Sequence, residues 1–282
     1  MDLLDILADT LIDNLKLFVF LLITYLFLEY MEQKMSERTA AWVKKAGAGG
    51  PFIGSLCGTL PQCGFAAAAS NFYAARLISI GTLIAIYLST SDEMLPILIS
   101  GGISYVLLAQ IIGYKFVCGV IFGYVIDYFW RKKHAQPVVN IEQLCEDEHC
   151  HCDGDEGIWR PAFVHAFHIT MFIFAVTLAL NVLFFYIHPK ALTHWLQIPV
   201  LSEIISGIFG LLPNCSASVI LTQLYLENIL TLSALFSGSL VNGGVGLLVL
   251  FRVNRNMKEN LLILALLYIC GISGGLLSRL VF

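Results

Sequence analysis

Long apolar runs separated by short polar stretches dominate the chain: roughly residues 15–31, 51–75, 77–100 and 103–130, then 162–187, 199–226, 229–251 and 259–281. The runs are rich in Leu, Ile, Phe and Val and do not alternate, which predicts membrane helices rather than an outer-membrane barrel. Two runs carry a proline near the centre. Pro61 and Pro213 divide 51–75 and 199–226 into pieces of about ten and fourteen residues. Neither piece can cross roughly 30 Å of hydrocarbon at 1.5 Å per residue. Proline also removes a backbone donor and clashes with the preceding turn, so the helix is expected to break there.

The two broken runs are copies. Residues 54–99 align without a gap on 206–251 at an offset of 152, pairing Gly58 with Gly210, Leu60 with Leu212, Pro61 with Pro213, Cys63 with Cys215 and Tyr73 with Tyr225. Similar residues fall in register as well: Gln62 with Asn214, Ser70 with Thr222, Asn71 with Gln223, Ser79 with Thr231. A G-x-L-P-[NQ]-C hexamer in register with the apolar matches marks a duplicated unit. Three regions follow: a first membrane repeat (1–130), a loop (131–160) and a second membrane repeat (161–282).

Charge orients the repeats. Each broken run is either a kinked span or a re-entrant hairpin. If both crossed, the basic 32–50 loop and the basic flanks of 131–160 would lie on opposite faces. If both are hairpins, each half has three spans and the halves run in opposite directions. Lys34, Arg38, Lys44, Lys45, Arg76, Arg131, Lys132, Lys133, Arg160, Arg252, Arg255 and Lys258 then share one side, leaving Lys16, Lys190 and Arg279 at the other. Lys115 falls within a span, where an ionisable residue is functional by default, the alternative for it and Asp127 being end residues that snorkel. The bias is that of the positive-inside rule, which puts 131–160 in the cytoplasm and the N-terminus outside. The expected fold is therefore an all-α membrane protein of two inverted-topology repeats, each with three spans and one Pro-interrupted helical hairpin, about ten helical segments in all.

Composition narrows the class further. The chain is 58% hydrophobic and 13% charged, too few polar residues to cover a soluble globule of 282 residues. Asp2, Asp5, Asp9 and Asp13 precede any basic residue, the reverse of a cleavable signal peptide; the start reads as an amphipathic lead-in to the first span. A net charge of −4 gives no reason to expect nucleic acid as a partner, and no G-x-x-x-x-G-K-[ST] loop encodes ATP hydrolysis. Of eight cysteines, Cys57, Cys63, Cys118, Cys215 and Cys270 lie in apolar runs and Cys145, Cys150 and Cys152 in one acidic loop, which is no disulfide framework. Cys57, Cys118 and Cys270 read as small packed hydrophobes.

Chemistry is expected where the helices break, because unpaired backbone groups persist in a bilayer only where protein or a water-filled cavity satisfies them. The leading substrate site is Pro61, Gln62 and Cys63 with Pro213, Asn214 and Cys215, where thiols offer soft ligands, amides offer donors and acceptors, and half-helix N-termini point at the tips. The third runs break at matching places, Ser89-Thr90-Ser91-Asp92-Glu93 against Val241-Asn242-Gly243-Gly244-Val245. That adds Thr90, Asp92, Glu93 and Asn242 as candidates, with Asp92 or Glu93 able to carry a proton or cation, or else to sit in water at the interface. In the loop, His149, Cys150, His151 and Cys152 alternate among acidic residues and can hold a borderline metal, although a solvated acidic loop has the same composition. His165 and His168 follow three apart on the next helix.

The duplicated G-x-L-P-[NQ]-C, the His/Cys-rich loop and the order of apolar segments over nearly the whole chain resemble the ten-segment heavy-metal exporter family, also described as arsenic permeases or manganese transporters. The resemblance implies efflux of a metal or metalloid across the cytoplasmic (inner) membrane of a bacterium, by a multi-pass protein without cofactor. Its motif falls on Pro61, Gln62 and Cys63 and on Pro213, Asn214 and Cys215. The first reading is a secondary exporter of a thiophilic metal or metalloid, coupled to protons, and not an enzyme. The alternative is a Mn²⁺ exporter using Asp92, Glu93, Asn242 and carbonyls. An intramembrane thiol oxidoreductase needs a C-x-x-C pair that the chain lacks. A passive channel lined by the two hairpins has the same sequence signature.

Overall fold

A computed structural model describes residues 49–60, 63–91, 94–131, 159–186 and 198–282, with parts of a helix between 11 and 26. The described residues are helical, without strands. The first repeat contributes α1 (Gly50–Gly58), α2 (Cys63–Ala74), α3 (Ile80–Ser89), α4 (Met94–Ser100) and α5 (Tyr105–Arg131). After α6 (Trp159–Tyr186), the second contributes α7 (Leu201–Gly210), α8 (Cys215–Leu226), α9 (Leu232–Val241), α10 (Val245–Val253) and α11 (Met257–Ser278).

Side-chain-free positions reveal the direction of each element. A Cβ on Gly50 would meet Thr82, one on Gly54 would meet Thr82 and Ile86, and one on Gly58 would meet Ile86 and Ser89, so α1 runs parallel to α3. The chain must then return along α2 before α3 can start, and it does so through the turn at 75–79. Segment 50–79 is thus a hairpin that enters and leaves on one face. Its copy does the same from the other face: a Cβ on Gly210 would overlap the Gly238 carbonyl near the far end of α9, and Ser233 near the start of α9 donates to Glu203 near the start of α7 at 2.6 Å. The inverted repeat predicted from the duplicated prolines is present in the fold.

The duplication reaches into backbone detail. Arg76 and Asn228, 152 apart, both adopt a left-handed φ of 59°. Each closes its hairpin arm with a Schellman pair, Leu77 N–H to Phe72 O (2.8 Å) with Arg76 N–H to Tyr73 O (2.9 Å), and Ile229 N–H to Leu224 O (2.9 Å) with Asn228 N–H to Tyr225 O (3.0 Å). Ser79 and Thr231 then cap α3 and α9 by accepting from Thr82 N–H and Ala234 N–H. The register continues further than 99/251: Cys118-Gly119 and Gly123 on α5 match Cys270-Gly271 and Gly275 on α11 at the same offset. Gly123 and Gly275 lie against the matching carbonyls of Gly81 and Ser233.

Among the described residues, five helical stretches are long and apolar enough to span a bilayer: 80–100, 105–130, 162–179, 232–253 and 257–278. The two that contain breaks are 81% and 89% buried within the protein, against 28%, 25% and 39% for the unbroken three. The broken helices therefore form the centre, and α5, α6 and α11 present Leu, Ile, Val and Phe to lipid. Tyr105, Tyr128 and Trp159 stand exposed at helix ends, as interfacial aromatics do.

Ion pairs fasten both ends. On the first face Arg76 donates twice to Glu259 at the start of α11, at 2.6 and 2.9 Å, and Tyr73 donates to the same carboxylate. That bond pushes the Arg76 guanidinium above its usual range. On the second face buried Glu203 accepts from Arg279 at 2.6 and 2.9 Å and from Ser233. Arg76, Arg131, Arg252, Arg255 and Lys258 all belong to the first face.

Candidate functional site

The two halves meet through their interrupted helices. Hairpin arm α2 of the first repeat lies on α10 of the second, and α8 lies on α4 in the matching way. Ser70 Oγ sits 2.7 Å from the Gly246 carbonyl and 2.7 Å from Tyr87 Oη, tying α2, α3 and α10 together. Gly246 permits the approach, since a Cβ there would come within 2.8 Å of the Ala66 backbone.

Breaking a helix leaves its last carbonyls without intrahelical donors. In α3 those groups are partly answered locally: Thr90 Oγ1 donates back to Ile86 O at 2.7 Å, and Ser89 and Ser91 also bond backward. In α9, Asn242 Oδ1 accepts from Gly244 N–H at 2.9 Å, a local Asx turn that carries the chain into α10. Gly244 has φ 51° and ψ −142°, a conformation that suits glycine. Lys115 answers two of the remaining carbonyls. It lies midway along α5, 1% exposed, and its Nζ donates to Thr90 O and, at 2.8 Å, to Ser239 O. The breaks of the two repeats are consequently close enough to share one ammonium.

The hairpin tips adjoin these breaks. Gly58, three residues before Pro61, packs on Ser89 and Ile86, and Gly210, three before Pro213, packs on Gly238 and Val241. At the second tip Pro213 is half-buried and Asn214 is buried, with its N–H on Leu212 O at 2.7 Å and its carbonyl accepting from Ala217 N–H at 3.2 Å. Thr90 and Asn242 are buried too. Pro61, Gln62, Asp92, Glu93 and the loop residues His149, Cys150, His151 and Cys152 lie outside the described residues. So do the side chains of Cys63, Cys215 and His165. Among the described residues no three His, Cys, Asp or Glu side chains gather as a metal cluster.

The chain matches, over residues 2–188, the family described as "Putative, 10TM heavy-metal exporter". It belongs to that family. The match takes in the first repeat, the acidic loop and α6, about two-thirds of the chain, and assigns it a metal ion as substrate. No curated protein and no solved structure matches. Pro213-Asn214-Cys215 falls outside the matched residues, so its equivalence to the first tip rests on the internal repeat.

Membership in an exporter family, an all-helical multi-pass fold and a buried junction of broken helices agree with the transporter read from sequence. The snorkelling alternative fails at two residues. Lys115 does not snorkel to an interface; it is buried between helix ends that lack donors, where its charge is hydrogen-bonded. Asp127 is likewise no solvated end residue, because its carboxylate accepts from Gly81 N–H at 2.9 Å and Ser79 Oγ at 2.6 Å and caps α3. The signal was the continued repeat: the copy of Lys115 is Leu267, buried on α11, and the copy of Asp127 is Arg279, which ends α11 and bonds Glu203 and Ser233. His168 is exposed on α6.

Proposed function

We propose that this family member is a secondary exporter of a thiophilic metal or metalloid ion across the cytoplasmic membrane of a bacterium. The cargo is held near the midplane between Pro61-Gln62-Cys63 and Pro213-Asn214-Cys215, and protons are the coupling ion. What carries the reading is the reach of Lys115 to carbonyls at both helix breaks, which gathers irregular backbone from opposite repeats into one place at mid-depth. Irregular backbone at that depth is tolerated around a substrate route, and inverted repeats that rock about it give alternating access. The cations on the first face, Arg76, Arg252, Arg255 and Lys258 among them, support a cytoplasmic assignment for that face.

Thiol sulfur favours soft cargo, whereas a Mn²⁺ site wants carboxylate and carbonyl oxygen. Asn242 spends its side-chain oxygen on capping Gly244, which leaves it a poorer oxygen ligand for Mn²⁺. The test is flux of arsenite, Zn²⁺ and Mn²⁺ into proteoliposomes, for wild type and for Cys63→Ser/Cys215→Ser. Arsenite or Zn²⁺ flux lost in the double variant is the expected result. Mn²⁺ flux that survives it moves the site to Asp92 and Glu93, and flux of none of the three refutes the cargo class.

A further inference from the structure

The position equivalent to Lys115 in the other repeat is Leu267 on α11, and the Lys115 ammonium reaches carbonyls at both breaks. Its acceptors flank the two breaks: Thr90 is the residue that ends α3, where ψ turns to 133°, and Ser239 O is among the last four carbonyls of α9, the negative end of a half-helix where a cation is favoured. The side chain is 1% exposed. A lysine ammonium carries three donors and no acceptor, and burying it is costly unless oxygen surrounds it. Thr90 belongs to the first repeat and Ser239 to the second. The same atom therefore satisfies both breaks and bridges the two bodies that alternating access must move.

We propose that the Lys115 ammonium is a tethered cation filling a carbonyl cage shared by α3 and α9, a positioning residue that fastens the repeats in this conformation in place of a free bound cation. The cage then takes a small hydrogen-bond-donating cation, methylammonium in particular, whenever the side chain is cut away. The proposal rests on the proposed function only in its transport arm, since rocking of the repeats requires Lys115 to leave one of its two carbonyls. Its binding arm stands on the geometry alone.

The binding arm uses full-length Lys115→Ala in detergent, purified throughout in methylammonium chloride and then exchanged. Its melting temperature in tetramethylammonium chloride, a cation without N–H donors, should lie roughly 5–10 °C below its value in methylammonium. Wild type should melt alike in both salts. Lys115→Met, which keeps the volume and removes the charge, should be destabilised in both salts and rescued by neither. In the transport arm, Lys115→Ala flux should rise several-fold with methylammonium while wild-type flux does not change. Equal melting of Lys115→Ala in the two salts overturns the cage. So does a Lys115→Met that melts like wild type, or one that can be purified when Lys115→Ala cannot in either salt, because the side chain would then serve packing alone. If wild type carries none of arsenite, Zn²⁺ and Mn²⁺, the cargo assignment fails and the melting comparison still decides the cage.

Discussion

Replacing Gly246 with valine perturbs the contact between repeats at its tightest point. The new Cβ would lie 2.8 Å from the Ala66 carbonyl carbon, oxygen and Cβ, and two of those three atoms are backbone, which cannot rotate away. Restoring ordinary contact requires α2 and α10 to part by about 0.6 Å or more, and overpacking of this kind costs about 1–3 kcal/mol. The same movement stretches the 2.7 Å approach of Ser70 Oγ to Gly246 O, a bond worth roughly 1 kcal/mol. Together these give about 3 kcal/mol, or roughly 6–12 °C in melting temperature for a chain of this size. Thermal unfolding of the purified protein is the assay. Gly113→Ala is the control, because a Cβ at Gly113 on α5 meets nothing within 4 Å. That change should stabilise by about 0.5–1 kcal/mol through the lower entropy of the unfolded chain. A Gly246→Val protein melting within a degree of wild type would show that α2 and α10 are not in backbone contact, and the packing argument would fail.

Further outcomes follow from the ends and the breaks. Glu203→Gln removes the charge that Arg279 and Ser233 share at 0% exposure; breaking a buried pair costs about 3–5 kcal/mol, and the half-exposed Arg279 brings the expected loss to the lower end, read as a drop in melting temperature. A double-mutant cycle on Arg76→Ala and Glu259→Ala should give a coupling of about 1–3 kcal/mol that weakens only modestly with salt, whereas zero coupling would reduce the bidentate pair to a surface contact. Gly244→Ala forces a side chain into φ 51°, ψ −142° and should cost about 1–3 kcal/mol, more than Asn242→Ala, which loses one capping bond worth about 1 kcal/mol. Equal melting of those two variants would contradict the Asx turn into α10.

Much of the architecture was legible because proline and repetition both act locally. Pro61 and Pro213 mark where a helix must stop, and the side on which the basic residues gather chose re-entrant hairpins over kinked spans. The Arg76 and Asn228 turns are less visible, since neither residue is a glycine and only the 152-residue register links them. The snorkelling alternative for Lys115 fails for a physical reason. Sequence distance to a helix end suggests snorkelling, but its environment is set by the ends of α3 and α9, which come from 25 residues upstream and 124 downstream. The alternative fails for Asp127 too, whose role as a cap for α3 depends on how α5 packs against Gly81. Cys63 and Cys215 begin α2 and α8, and their thiols lie outside the described residues.

The account rests most directly on each Pro-broken segment entering and leaving on one face, with the two segments on opposite faces. Single cysteines at Gly49, Ile78, Val200 and Glu227 in a cysteine-free protein, probed with a membrane-impermeant maleimide in sealed vesicles of known orientation, measure this. Positions 49 and 78 should react from one face only, and 200 and 227 only from the other. Labelling of 49 and 78 from opposite faces would make 51–75 a crossing helix and contradict the inverted repeat on which the shared site depends.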